Sequence, residues 1–296
     1  VPILAVTLGV SPRGHADVAR FAFPETAIHA LARVVRYGRI RSEDPGSVPT
    51  FADIRAGGAV PIVQRVLSED GDGRWLSPDE TRQLLEAYGI PLARFAYAHG
   101  TKTAVAAARE IGLPVALKAD AAGVVHKLEA GAVVLGLTSV DAVRATMRQF
   151  RERFGDRLRG VVVQEMGPPG VELIVGAVHD PAFGPLVVYG SGGTNAELFR
   201  DQLTRLAPLT TRQAEELVRA PRGARLLEGF RGQPRADIDA VTDVLHRVSQ
   251  LAADIPEVAE FDCNPLIAHP GGAVVVDARV RLRRVERGLP AWIRTA

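Results

Sequence analysis

Leu113–Val134 reads L-P-V-A-L-K-A-D-A-A-G-V-V-H-K-L-E-A-G-A-V-V. An apolar run from Leu113 to Leu117 ends in Lys118, a small-residue segment leads to His126-Lys127, and a second apolar run starts at Ala132. This pattern predicts a strand, a loop and a strand. A lysine at the end of a buried strand is costly unless its charge meets an anion. A histidine on a Gly/Ala-rich loop can be carried to a reacting group. The chain uses arginine almost everywhere else: of 36 Lys and Arg residues only Lys102, Lys118 and Lys127 are lysines. A compact ammonium suits a phosphate as a point charge, where arginine offers a planar fork. Taken locally, the same residues also read as an edge-strand lysine with its head in water and an ordinary loop histidine.

The flanking sequence predicts alternating elements. Upstream, Ser77-Pro78-Asp79-Glu80 opens a helix to Tyr88, Pro91–Ala98 reads as a strand, and Thr101–Ile111 as a second helix. Downstream, Ser139 caps a helix to Phe154, Val161–Met166 and Val171–Val178 read as a hairpin around Pro168-Pro169-Gly170, and Pro185–Tyr189 is a further strand. Thr210–Arg219 and Asp237–Asp254 read as helices; Val258–Asp262, Leu266–Ala268 and Ala273–Asp277 as strands; the remainder as an Arg-rich tail. Nearer the start, Pro2–Leu8 and Ala19–Phe23 read as strands and Pro24–Tyr37 as a helix, the tail of an α/β sheet. Arg39–Ala59 is polar and broken by Pro and Gly, which places a domain boundary there. The rhythm is that of an α/β or α+β protein.

At 296 residues and 47% hydrophobic composition, the chain has room for about two domains with a sizeable core. The net charge is +2, basic and acidic residues are interspersed, and aromatics are few, which argues against a nucleic-acid surface. The single cysteine, Cys263, excludes an internal disulfide and suits a reducing cytoplasm. No window approaches the ~18 apolar residues of a membrane span. Starting at Val1 inside an apolar run, the sequence reads as part of a longer polypeptide.

Three further features join Lys118 and His126. Glu165 and Glu172 flank the reversal at Pro168–Gly170, where carboxylates can accept hydrogen bonds from a base amine or ribose hydroxyls; they also read as edge acids that discourage strand pairing. A glycine-rich turn, Gly190-Ser191-Gly192-Gly193, follows a strand and can present backbone N–H groups to an anion. It matches neither a P-loop nor a dinucleotide turn. Asp262-Cys263-Asn264-Pro265 ends one strand and Asp277 ends the next, so Asn264 and Asp277 can face one point. Oxygen donors of low charge suit Mg²⁺, although an Asn-Pro turn and a strand-end Asp explain the same residues. Cys263 alternates away from its neighbours and reads as core. A lysine, a base-reading hinge, a metal pair and a glycine turn make an ATP site of two sub-lobes without a P-loop.

With these motifs the chain resembles the ATP-grasp region of the ADP-forming (NDP-forming) acyl-CoA synthetases, the acetate–CoA ligase family related to succinyl-CoA synthetase. The resemblance runs from about Leu76 to Leu282. It rests on G-L-P-V-A-L-K (Gly112–Lys118), H-K-L-E-A-G-A-V (His126–Val133), Q-E-M-G-P-P-G-V-E-L-I-V-G (Gln164–Gly176), D-P-A-F-G-P-L-V-V-Y-G-S-G-G (Asp180–Gly193), R-L-A-P-L (Arg205–Leu209) and E-F-D-C-N-P-L with D-A-R-V-R-L (Glu260–Leu266, Asp277–Leu282). It implies an α/β ATP-grasp fold, α+β in the small lobe, preceded by the tail of a flavodoxin-like CoA-ligase domain at residues 1–45. A linker would cover 46–75, a small lobe about 76–165 and a large lobe about 166–296.

The resemblance also implies roles. Lys118 holds ATP phosphates, Glu165 and the Met166 backbone read adenine, and Glu172 takes the ribose. Gly131, Gly192 and Gly193 join the ATP site, and Asn264, Asp277 and the nearby Asp262 hold Mg²⁺. His126 would carry the phosphoryl group between ATP or ADP and a first histidine in the CoA-binding ligase domains, in the reaction acyl-CoA + ADP + Pi ⇌ acid + CoA + ATP. Ala132, Ser191, Thr194, Asn195 and Cys263 depart from the family pattern, and the first histidine has no counterpart here, since His15 and His29 lie in other contexts. The implied partners are those ligase domains, in the same polypeptide or a partner subunit, with acyl-CoA or a carboxylic acid reached through them. The alternatives are a nucleotide-sensing region fused to a protein lysine acetyltransferase domain and another ATP-grasp carboxylate ligase, against which the His126 loop argues.

Overall fold

The computed structural model describes residues 4–6, 18–124, 130–193, 201–230 and 232–285. The chain divides into two units, Val1–Gly46 and Ser47–Ala296. In the first, β1 (Leu4–Val6) and β2 (Ala19–Phe21) pair in parallel, and α1 (Pro24–Ser42) follows. Pro24 and Glu25 suit the first turn of α1, and Arg39 and Arg41 suit its negative C-terminal end, so the helix runs past Tyr37.

The second unit opens with α2 (Ala56–Glu69), where a linker over 46–75 was expected. Ala59, Ile62, Val63 and Val66 form a buried stripe along it and join the main core. Pro61 and the two glycines mask this stripe in the sequence. Next comes α3 (Pro78–Ala87), closed at its start by a capping box between Ser77 and Glu80. Leu84, Leu85, Tyr88 and Ile90 pack into that same core.

A four-stranded antiparallel sheet follows: β3 (Phe95–Ala98), β4 (Val115–Ala121), β5 (Val133–Leu137) and β6 (Leu158–Glu165), in the order β3-β6-β4-β5. Helices α4 (Thr101–Ile111) and α5 (Val140–Phe154) supply Ala104, Ala108, Val143, Met147 and Phe150 to a core with Val115, Leu117 and Val163. This core is separate from the one that Leu84, Leu85 and Tyr88 join.

The second sheet has six strands: β7 (Val171–Asp180), β8 (Gly184–Ser191), β9 (Leu203–Leu206), β10 (Val258–His269), β11 (Gly272–Val275) and β12 (Ala278–Leu282). The order is β11-β10-β7-β8-β9, with β12 also pairing β10. Two helices, α6 (Thr211–Arg219) and α7 (Ile238–Asp254), pack Leu217, Val241, Leu245 and Val248 beneath Val175, Val187 and Phe261.

Three expectations change. The segments Val161–Met166 and Val171–Val178 do not form a hairpin: β6 pairs β3 and β4, β7 pairs β8 and β10, and residues 166–170 join the two sheets. Val258–Asp262 and Leu266–Ala268 belong to one strand with a register shift between Cys263 and Leu266. The Arg-rich stretch after Asp277 includes β12, whose Val280 and Leu282 are buried while Arg281 faces out.

Glu80 ties the start of α3 to its surroundings. It accepts from Arg74 Nη1 at 2.8 Å, Arg74 Nη2 at 2.9 Å, Arg65 Nη2 at 3.1 Å and the Ser77 N–H at 2.8 Å. The Arg74 hydrogen bonds hold its carboxyl at about 2, against an ordinary 4.5. A depressed carboxyl stabilises the fold fully above its unfolded pKa and loses that contribution as pH falls through the folded value. We expect Glu80→Gln to cost about 2 kcal/mol in urea denaturation at pH 7, the charge-paired hydrogen bonds being partly solvent-screened. The gap from wild type should narrow as the pH falls from 4.5 toward 2.

Candidate functional site

Lys118 lies on β4, an interior strand, paired with Val162 on one side and Val133 on the other. Val115, Leu117 and Ala119 point into the helix-covered core, so Ala116, Lys118 and Asp120 share the opposite face. Lys118 is only 8% exposed, which removes the reading of an edge lysine in water. Its Nζ donates to the Val276 carbonyl at 3.1 Å and lies 4.0 Å from Asp277 Oδ1, both from the six-stranded part.

Gln164 on β6 shares that face, since it pairs with Ala116. Its Nε2 donates to the same Val276 carbonyl at 2.8 Å, and its buried Oε1 has no hydrogen-bond partner. Sequence reasoning passed over Gln164 beside the charged Glu165. The signal was available only through register, which puts it on the lysine face. Val276 is itself held, its N–H donating to Pro265 O at 2.9 Å, while the Asn264 N–H donates to Asp277 O at 3.0 Å.

Glu165, expected to read the adenine, is engaged by Arg94 in this structure. Its carboxylate accepts from the Arg94 N–H at 2.7 Å and from Arg94 Nε at 2.8 Å, and its own N–H donates to Arg94 O at 2.9 Å. This carboxylate fixes the crossing between the sheets. Met166 stands at the crossing, with Sδ accepting from the Gly136 N–H at 3.3 Å.

Glu172 opens β7 and is exposed on the face opposite the Leu173 and Val175 core side. The Gly192 N–H donates to Glu172 O at 2.8 Å. Gly193 has φ +57°, and a Cβ there would meet Glu172 Oε2. The glycine turn and Glu172 are thus in direct register. Gly131, at φ +61°, precedes β5 beside the Arg153 guanidinium.

Asp262 and Asn264 alternate on one face of β10, and Cys263 between them is fully buried, its thiol pushed well up by burial and then by Asp262 and Asp277. Asp262 pairs in register with Arg279. It is open to solvent yet hemmed by protein: burial raises its carboxyl pKa, Arg279 opposes this and Asp277 adds to it. Among the described residues no three His, Cys, Asp or Glu side chains gather as a metal cluster. Two carboxylates that feel each other, with an amide alongside, nevertheless fit a hard cation that keeps water and phosphate oxygens as ligands.

A cavity of about 350 Å³ opens at this junction, bounded by Lys118, Val162 and Gln164 above and Val276, Asp277 and Arg279 below. Its walls include Lys118 and Asp277 but not Glu172, Asn264, Gly192 or Gly193. His126, with Thr194 and Asn195, falls outside the described residues. What the site can do is hold a polyanion: a desolvated ammonium and a carboxylate pair for a cation, with the Gly193 N–H at the glycine turn.

Residues 66–282 match the ATP-grasp domain model, and the chain belongs to that family. It is 37% identical over 269 residues to acetate–CoA ligase [ADP-forming] I of Archaeoglobus fulgidus, covering 90% of this chain but 39% of that protein. It is 36% identical over 226 residues to the beta subunit of acetate–CoA ligase [ADP-forming] I of Pyrococcus furiosus, covering 75% of this chain and 96% of that subunit. Among solved structures it is similar to dinucleotide-forming acetyl-coenzyme A synthetase 1 of Ca. Korarchaeum cryptofilum. That structure contains coenzyme A and Mg-AMPPCP and has a phosphohistidine segment pointing towards the nucleotide-binding site. The TM-score is 0.67 and the identity 40%, over 76% of this chain and 100% of that one.

The contact between Gly193 and Glu172 gives a direct test. Gly193→Ala forces a side chain onto the Glu172 carboxylate at a backbone conformation that alanine resists. The expected loss is about 1–3 kcal/mol in thermal denaturation. Glu172→Ala in the same chain should recover the steric part and leave the backbone part.

Proposed function

We propose that this chain is the nucleotide-binding and phosphoryl-transfer part of an ADP-forming acyl-CoA ligase, an acid–thiol ligase of the acetate–CoA type. It spans about two fifths of the Archaeoglobus fulgidus ligase and nearly the whole of the Pyrococcus furiosus beta subunit, which supports CoA-binding ligase domains as its partners, in the same polypeptide or in a partner subunit. Those domains would bring the first histidine and the acyl-CoA or carboxylic acid. No helix among the described residues is long and apolar enough to cross a membrane. The observation that carries the reading is Lys118: a nearly buried ammonium from one sheet set 4.0 Å from Asp277 of the other, at a cavity wall.

In this reading Lys118 binds and orients the phosphates of ATP, and Glu172 takes the ribose hydroxyls. The Gly193 N–H faces phosphate oxygens, and Gly131 joins the ATP site. The Met166 backbone presents hydrogen-bonding groups to the adenine edge, Glu165 holding that backbone in place through Arg94. Gln164 Oε1 is a ready acceptor at the cavity wall. Asn264, Asp277 and Asp262 would hold Mg²⁺, which when bound neutralises phosphate charge. The neutral His126 imidazole attacks the γ-phosphorus: a P–N bond forms, the P–O bond to ADP breaks, and ADP departs with the electron pair. Transfer of this kind needs alignment and charge stabilisation more than covalent help from the protein.

Incubating the chain with Mg-ATP labelled at the γ-phosphate tests the assignment. We expect an acid-labile, base-stable label on wild type and none on His126→Ala, with ATP affinity kept within about threefold in the variant. Lys118→Ala should lose both label and affinity. Label retained in His126→Ala would overturn the phosphohistidine role. Wild type that binds Mg-ATP but takes no label, with the ligase domains present, would overturn the transfer function.

A further inference from the structure

Ser191, Asp201 and Gly223 meet in a knot that the nucleotide site does not explain. Ser191 ends β8, pairs with Leu173 of β7, and is 4% exposed. Its N–H donates to Asp201 Oδ1 at 3.3 Å and its hydroxyl to Asp201 Oδ2 at 3.0 Å. The Gly223 N–H, from the short helical turn Arg222–Leu226, donates to the same Oδ2 at 3.1 Å. A Cβ at Gly223 would strike Ser191 Oγ, so the turn is packed on the hydroxyl with no room to spare. Burial alone would raise the Asp201 carboxyl, yet the Gly223 and Ser191 donors hold it below the usual range. The group is an ionised acceptor whose partners are all donors.

These bonds fix the residue immediately before Gly192-Gly193. From there the Gly192 N–H reaches the Glu172 carbonyl, and Gly193 lies against the Glu172 carboxylate. Asp201 thus closes one end of the segment, the Gly223 turn backs it, and Glu172 receives it. We infer that Asp201 is a positioning residue: through Ser191 and the Gly223 N–H it sets the Gly192–Gly193 turn against Glu172, and so sets the carboxylate that selects a ribose. This role rests on the reading that the face holds a nucleotide, and Asp201 fills it without touching the ligand. Ser191 was one of the departures visible in the sequence. A hydroxyl there gives Asp201 a donor that an apolar side chain cannot.

The test is calorimetric titration of the 296-residue chain with Mg-ATP and with Mg-2′,3′-dideoxy-ATP, below the thermal transition of every variant. Wild type is expected to prefer ATP about tenfold, the scale of a hydrogen bond to a charged group. Asp201→Asn and Gly223→Ala should reduce that preference to about twofold while circular dichroism shows a folded chain. Ser191→Ala should be mild, because both backbone donors to Asp201 remain. Ser191→Ala combined with Gly223→Ala should return to the Ser191→Ala value, because the clashing hydroxyl is gone. A full tenfold preference in folded Asp201→Asn overturns the inference, whatever the melting temperature does. If Asp201→Asn does not fold, Gly223→Ala and its double variant decide the matter by the same comparison: a full tenfold preference in folded Gly223→Ala overturns the inference. Failure of wild type to bind either nucleotide overturns the nucleotide reading itself, and the inference with it.

Discussion

The Lys118 ammonium reaches from one sheet to a carbonyl and a carboxylate of the other, and the site depends on that reach. A cation this buried is unfavourable unless polar groups replace its water. Here the Val276 carbonyl and the nearby Asp277 do so. For this to work, β4 must be interior, so that both neighbours shield the lysine stem. Residues 276–277 must also be held still. They are pinned to β10 through Pro265 and Asn264, while Val275 is bracketed by the Pro91 carbonyl and the Ala93 N–H. Gln164 shares the Val276 carbonyl, so two side chains of the small lobe converge on one atom of the large one.

This arrangement explains why the segment between the sheets is rigidly specified. Glu165 and Arg94 exchange backbone and side-chain hydrogen bonds at the point where β6 ends. A slip there would move Lys118 relative to Asp277, and at these separations electrostatic interactions change steeply with distance. The structure therefore spends one carboxylate, Glu165, on geometry and leaves another, Glu172, exposed on the face opposite the core. Two acids seven positions apart look alike in sequence and differ in surroundings: Glu165 meets Arg94, and Glu172 lies against Gly193.

Much of the architecture is legible in the chain itself. Apolar periodicity and the caps at Ser77 and Ser139 locate α3 and α5, and the Thr101–Ile111 helix ends where the sequence changes character. Those signals are local, because backbone capping and side-chain period act over a few residues. Less visible were α2, whose Pro61 and glycines hide a buried stripe, and β12, whose arginines alternate with core residues. The sheet change at residues 166–170 was unreadable as well: a turn rich in Pro and Gly says that the chain bends, not which strand it joins next.

The sequence by itself determined the kinds of group available: a scarce lysine closing an apolar strand, a glycine turn, paired acids, an Asn-Pro step before a strand-end Asp. It determined their order too, and with it the resemblance to a family. Only tertiary structure decided which of them meet. The Lys118–Asp277 and Gln164–Val276 contacts join residues more than a hundred positions apart. Strand pairing and register, set by the burial of whole faces, select such partners, and no local pattern encodes them. The same holds for Glu165, Asp201 and Gly223, whose tasks follow from neighbours that the fold supplies.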